Sequence, residues 1–146
     1  MALLYHPNPG DILLCDYGTG FVAPEMVKRR PVVILSPRLR RRNGLVAVVP
    51  LSTTAPTVVE AYHCRIMLAQ PLPAPFDAPE MWAKCDMIAT VSLARLDRFR
   101  EPRGPTGGQR RYSTGAVSPA DLQRVRAAML CGLGLAILTK WLGPTT

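Results

Sequence analysis

The chain has 146 residues, is 48% hydrophobic and 19% charged, and carries 18 Lys and Arg against 10 Asp and Glu for a net charge of +8. That length and apolar content fit one folded, basic domain burying roughly 70% of its unfolded surface, and they exclude a disordered chain or two compact domains. The longest apolar stretch, 127–139, falls short of the ~20 residues needed to cross a bilayer, and the first residues lack a basic start and a long apolar run. No membrane contact or secretory signal is therefore expected, and a cytoplasmic location is.

Short β-branched and alternating runs dominate the first two thirds. Asp11 to Tyr17, Pro31 to Ser36, Leu45 to Leu51, Val59 to Leu68 and Lys84 to Val91 read as strands separated by turn formers. The stretch 71–79 holds four prolines, which lack N–H donors, so it reads as an extended surface loop. Ser118 is a good N-cap, Pro119 suits the first helical position and Asp121 complements the helix dipole, and an apolar stripe at three- and four-residue steps extends the predicted helix to about residue 141. Strands followed by one helix, without βαβ alternation, predict a mainly β (α+β) fold: a small antiparallel barrel with a C-terminal helix laid on it. Past Met129 the helix is apolar nearly all round; a subunit interface would cover it, or the long loops would fold over it.

The charge is clustered. Residues 28–42 hold seven basic residues (Lys28, Arg29, Arg30, Arg38, Arg40, Arg41 and Arg42) and no acid, and 95–111 hold six arginines against Asp97 and Glu101, so the remainder of the chain is net negative. Fifteen of the 18 basic residues are Arg. Guanidinium forks grip phosphate oxygens bidentately, so the clusters suit a nucleic acid or an acidic partner. A coding bias toward Arg would explain the preference over Lys but not the clustering.

Ordinary catalytic parts are scarce. Cys15, Cys64, Cys85 and Cys131 form no CxxC pair, the acids are scattered singly, and His6 and His63 offer poor material for a triad, so neither a metal nor another cofactor is expected. What remains is Lys28-Arg29-Arg30-Pro31 entering one strand and Pro50-Leu51-Ser52-Thr53 leaving the next. In an antiparallel hairpin those ends meet, which makes Arg30 and Ser52 neighbours. A guanidinium beside a hydroxyl can stabilise charge developing on a phosphate under attack. A plain strand-start arginine and turn serine are the alternative.

These residues also carry a family resemblance. Pro9-Gly10-Asp11-Ile12, the block from Glu25 through Lys28-Arg29-Arg30-Pro31 to Ser36-Pro37, Asn43-Gly44-Leu45 with Val49-Pro50-Leu51-Ser52-Thr53, and Lys84-Cys85-Asp86-Met87-Ile88 followed by Arg95-Leu96 match, in order over about 9–98, the blocks of the MazF/PemK ribonuclease toxins, particularly their YifN-type branch. The resemblance implies an SH3-like barrel homodimer that cleaves single-stranded RNA without metal and is neutralised by an acidic antitoxin protein. It implies 2′-OH attack on the adjacent phosphorus, with Arg30 stabilising the phosphorane, Ser52 bonding a phosphoryl oxygen and Glu25 positioning substrate or acting as base. Lys28, Arg29, Thr53 and Arg38, Arg40, Arg41 and Arg42 are the candidate RNA contacts. Ser52 stands where the family more often has Thr, and Met87 and Ala89 replace a Gln and a basic residue. Those replacements motivate a competing reading, a non-catalytic nucleic-acid-binding barrel or a gyrase-inhibiting toxin of the same fold.

Overall fold

The structure is a computed structural model that describes residues 3–143. Five strands build its body: β1 (Asp11–Asp16), β2 (Arg29–Ile34), β3 (Leu45–Ser52), β4 (His63–Met67) and β5 (Glu80–Lys84). They are followed by β6 (Ala89–Ser92), the short pieces β7 (Leu96–Asp97), β8 (Phe99–Arg100), β9 (Tyr112–Ser113) and β10 (Gly115–Ala116), and helix α1 (Pro119–Gly132). The main sheet runs β10-β1-β2-β3-β5-β4, with β6 added to β3 and β7 to β1, and all its pairings are antiparallel.

β3 is the pivot of this curled half-barrel. One edge pairs with β2; the other pairs with β6 over Leu45 to Val48 and with β5 at Leu51 and Ser52. Pro50, which has no N–H to contribute, falls where β3 changes partner. Strand alternation then sorts the side chains onto two cores. Ile12, Val33, Val49, Leu51, Cys64, Ile66, Met81 and Ala83 face α1 through Val125 and Ala128. Leu13, Cys15, Tyr17, Val32, Ile34, Val46, Val48, Val91 and Leu96 fill the barrel on the other face.

The helix starts as the capping signals predict: Ser118 Oγ accepts the Asp121 N–H at 3.1 Å. It stops nine residues before the predicted end. The Leu135 N–H donates to the Leu130 carbonyl at 2.8 Å and the Gly134 N–H to Cys131 at 3.1 Å, a Schellman closure around Gly134, whose φ of +74° suits only glycine well. The apolar residues beyond form a 3₁₀ turn, Ala136–Trp141, and Leu133, Leu135, Ile137, Leu138 and Trp141 are exposed.

The proline-rich segment is a loop, as expected, but it is not wholly superficial: Leu72 is buried and Phe76 packs on the helix-side core. The fifth predicted strand is displaced. The chain turns at Cys85 and Asp86, with the Met87 N–H donating to the Lys84 carbonyl at 3.0 Å, so β5 ends where the predicted segment begins and β6 occupies only its last residues.

Candidate active site

Arg30 lies on β2 directly opposite Cys15 of β1. The β2–β3 register pairs Ile34 with Val48, Val33 with Val49 and Val32 with Pro50. The ladder stops there, because Pro31 has no N–H to extend it; the same register, continued by two residues, would bring Arg30 across from Ser52. Both side chains share the face of Val32 and Cys15, the barrel face rather than the helix face. Arg30 and Ser52 thus lie on one face, at the adjoining ends of β2 and β3.

Each is prepared differently. Ser52 is 6% exposed, and its Oγ accepts the Thr54 N–H at 3.1 Å, which fixes the rotamer and leaves the hydroxyl proton free to donate elsewhere. Arg30 is half-buried; its Nε is fully shielded yet has no hydrogen-bond partner, and among the described residues no carboxylate pairs with the guanidinium. A buried donor without an acceptor is costly unless a ligand supplies one. Its neighbour Cys15 adds no negative charge, because burial pushes that thiol up to about 11, against smaller downward effects of Tyr17 and Arg95. Burial also raises the Tyr17 phenol.

The loop between β1 and β2 closes over this end. Phe21 meets Tyr17 edge to face at 5.0 Å, and the Arg95 guanidinium lies 4.8 Å from the Phe21 ring while donating to the Asp16 carbonyl at 3.0 Å. Glu25 is not joined to Arg30. Its carboxylate accepts the Val22 N–H at 2.7 Å, and its own N–H donates to the Val22 carbonyl at 2.9 Å, so it braces the loop.

The other basic candidates scatter. Lys28 and Thr53 are exposed on the connections flanking Arg30 and Ser52. Arg29, one residue from Arg30, falls on the opposite sheet face by alternation, where it lines a cavity of about 340 Å³ with Phe76, Arg98 and Arg100. Arg38, Arg40, Arg41 and Arg42 lie at the far end of the hairpin, roughly 25 Å of extended chain from Arg30. There Arg38 Nε donates to Asn43 Oδ1 at 3.1 Å, Arg41 takes a left-handed φ of 61°, and the Arg42 N–H closes the turn onto Leu39. Residues 28–42 therefore do not form one positive edge: β2 runs between β1 and β3, and its charges sit at its two ends. The second basic stretch is partly structural, since Arg98 stacks over Tyr112 at 4.9 Å and Arg110 donates to the Glu101 carbonyl at 3.3 Å.

Among the described residues no group of three or more His, Cys, Asp and Glu could hold a metal ion, and no helix is long and apolar enough to cross a membrane. One residue of the site escaped the sequence reading. Ser52 pairs with Trp82 of β5, which a strand starting at Lys84 would have excluded; the alternation of Met81, Trp82 and Ala83 just after Pro79 was the available signal.

Residues 8–129 match the profile of the PemK-like, MazF-like toxins of type II toxin–antitoxin systems. The chain belongs to this family. It is 36% identical over 109 residues to an uncharacterized protein of Haemophilus influenzae, covering 66% of this chain and 73% of that one. It is 32% identical over 122 residues to YifN of Escherichia coli K12, covering 71% and 80%. Among solved structures, a mycobacterial endoribonuclease superposes with a TM-score of 0.59 at 22% identity, covering 91% of this chain and 96% of that one. A mycobacterial endoribonuclease in complex with its cognate antitoxin gives 0.57 at 25% identity, covering 88% and 96%. MazF of Deinococcus radiodurans gives 0.58 at 18%, covering 89% and 98%. In this chain Arg30 and Ser52 lie on the barrel face of that fold, at the adjoining ends of β2 and β3.

Proposed function

We propose that this PemK/MazF-like protein is the toxin of a type II module and an endoribonuclease that cleaves single-stranded RNA without a metal. The observation that carries the reading is Arg30: a guanidinium with a buried, unpartnered Nε, set across from the rotamer-fixed hydroxyl of Ser52. In the proposed reaction the 2′-oxygen bonds to the adjacent phosphorus and loses its proton to a base. The bond from phosphorus to the 5′-oxygen then breaks, and the departing oxygen takes up a proton. The products are a 2′,3′-cyclic phosphate and a 5′-OH. Arg30 balances the charge that builds on the phosphoryl oxygens, Ser52 donates a hydrogen bond to one of them, and Glu25 holds the loop that lies against the substrate. Preorganised donors of this kind act on the transition state more than on the ground state.

Lys28 and Thr53 flank the reacting phosphate, and the Arg38 to Arg42 tip contacts the phosphates of longer RNA. A second copy of the chain covers the exposed Leu133, Leu135, Ile137, Leu138 and Trp141, a patch of a kind that marks interaction surfaces. An acidic antitoxin segment supplies the complementary charge for the basic clusters. The test is RNA cleavage in EDTA by wild type, Arg30→Ala and Arg30→Lys, with circular dichroism to establish folding. Wild type cuts, Arg30→Ala loses at least 10² in rate, and Arg30→Lys recovers a fraction. Cleavage by Arg30→Ala at the wild-type rate would overturn the assignment.

A further inference from the structure

The row that contains Arg30 and Ser52 does not end at Ser52. Ser52 pairs with Trp82 on β5, and Trp82 with Arg65 on β4. Cys15 pairs with Arg30, and Ser52, Trp82 and Arg65 pair in turn; alternation puts both rows on the barrel face, and the β2–β3 register continued by two residues aligns them across five strands. Alternation confirms the direction: Met81 and Ala83, on either side of Trp82, are fully buried in the helix-side core, as are Cys64 and Ile66 around Arg65. Trp82 therefore points to the side from which RNA would reach Arg30, two strand spacings or roughly 10 Å from it.

Trp82 has no evident structural employment there. It is half-buried, with part of the indole open to solvent, and belongs to neither hydrophobic cluster. Among the described residues it stacks on no other ring, receives no cation over its face, and its indole N–H donates to no protein group. Two cations flank it on the same face. Arg65 lies directly across the strand pair, held by no more than a 3.8 Å contact with Glu80, and Lys84 lies two residues along β5. β4 and β5 are themselves firmly placed, because the Arg124 guanidinium clamps α1 to the Arg65 carbonyl at 2.9 Å while also binding Asp121 at 2.8 Å.

We propose that Trp82 is the base platform of the site: a nucleobase of single-stranded RNA adjoining the scissile phosphate stacks on the indole, and Arg65 and Lys84 contact the phosphates beside it. This rests on the RNA reading above. A partly exposed indole flanked by cations on a well-placed strand pair is the kind of arrangement by which proteins hold single strands with little sequence preference. It also gives substrate binding a component distinct from the chemistry: Trp82 fixes where the strand lies, while Ser52 and Arg30 act on the phosphorus one and two strands away. Trp82 is thus a positioning residue.

The chain has two tryptophans, Trp82 and Trp141, so a Trp141→Phe background isolates the indole in question. A non-cleavable 2′-O-methyl RNA oligonucleotide should quench its emission saturably, with a midpoint that moves to higher concentration in Arg65→Ala. In cleavage assays Trp82→Ala should raise KM about tenfold or more with kcat nearly unchanged, and Trp82→Phe should recover most of the loss. Absence of quenching, together with an unchanged KM in Trp82→Ala, would overturn the proposal while leaving the endoribonuclease reading intact. Quenching by the oligonucleotide with no cleavage by wild type would support the platform and overturn the catalytic reading instead.

Discussion

Replacing Ser52 by Ala separates two jobs that one oxygen performs. In the folded protein Oγ accepts the Thr54 N–H at 3.1 Å, and Thr54 is exposed, so water can take over as acceptor when Oγ is removed. The stability loss is therefore that of an ordinary local hydrogen bond, about 0.5–1 kcal/mol. The loss in the transition state is larger. Ser52 is shielded from solvent beside Arg30, and removing one preorganised donor to a developing oxyanion costs about 2.7–4 kcal/mol, or 10²–10³ in rate. Urea denaturation should thus shift only slightly, while single-turnover cleavage of a short RNA in EDTA slows by two orders of magnitude or more at nearly unchanged KM. A rate within about threefold of wild type, with the fold intact, would refute the reasoning that places Ser52 on the phosphoryl oxygen.

Three further outcomes follow from the packing and the charge. Gly132→Ala should destabilise by about 1–3 kcal/mol in thermal or urea denaturation, although Ala is the better helix former by about 1 kcal/mol, because its Cβ would meet the Cys85 carbonyl oxygen at 2.9 Å and Asp86 Cα at 3.0 Å; an unchanged or higher Tm would contradict the tight helix-to-turn packing. Burial keeps Cys15 protonated to about 11 and Cys85 to about 12, against 9.0 when unfolded, so the folded state binds more protons between those values; stability should fall as pH rises above about 9, and at pH 8 Cys131 alone should react quickly with a thiol reagent. Replacing Arg38, Arg40, Arg41 and Arg42 together by Ala should lower the salt slope of binding by up to about 3 for an RNA long enough to reach the hairpin tip, and far less for one that covers only the Arg30 site; equal effects on both would contradict the separation of the two basic groups.

The β2–β3 hairpin was legible because its signals agree: β-branched runs on both sides, turn formers between them, and a proline at each end of the segment that meets. From that alone Arg30 and Ser52 could be set opposite each other. β5 was not legible, since Glu80 to Lys84 follows directly on a proline-rich loop and offers only one clear alternation, while Cys85 to Val91 has better strand composition but must turn. The helix was read too long because its apolar period continues past Leu133, whereas backbone closure at Gly134 ends it. Net charge by segment misled for a related reason. Lys28 to Arg42 is continuous in sequence, but a six-residue strand divides it into two ends, and alternation sends Arg29 and Arg30 to opposite faces. Glu25 could be aligned with a family acid, yet where its carboxylate goes is decided by a turn closed onto Val22.

The central claim is that the RNA supplies its own nucleophile and this protein supplies Arg30 and Ser52 around it. It is tested most directly with two oligonucleotides of one sequence in EDTA, one all-ribose and one carrying a single 2′-deoxy nucleotide at the mapped cleavage position. The all-ribose strand should yield a 2′,3′-cyclic phosphate and a 5′-OH, and the deoxy strand should survive at that bond. Cutting of the deoxy strand there, or products with a 5′-phosphate, would contradict the account.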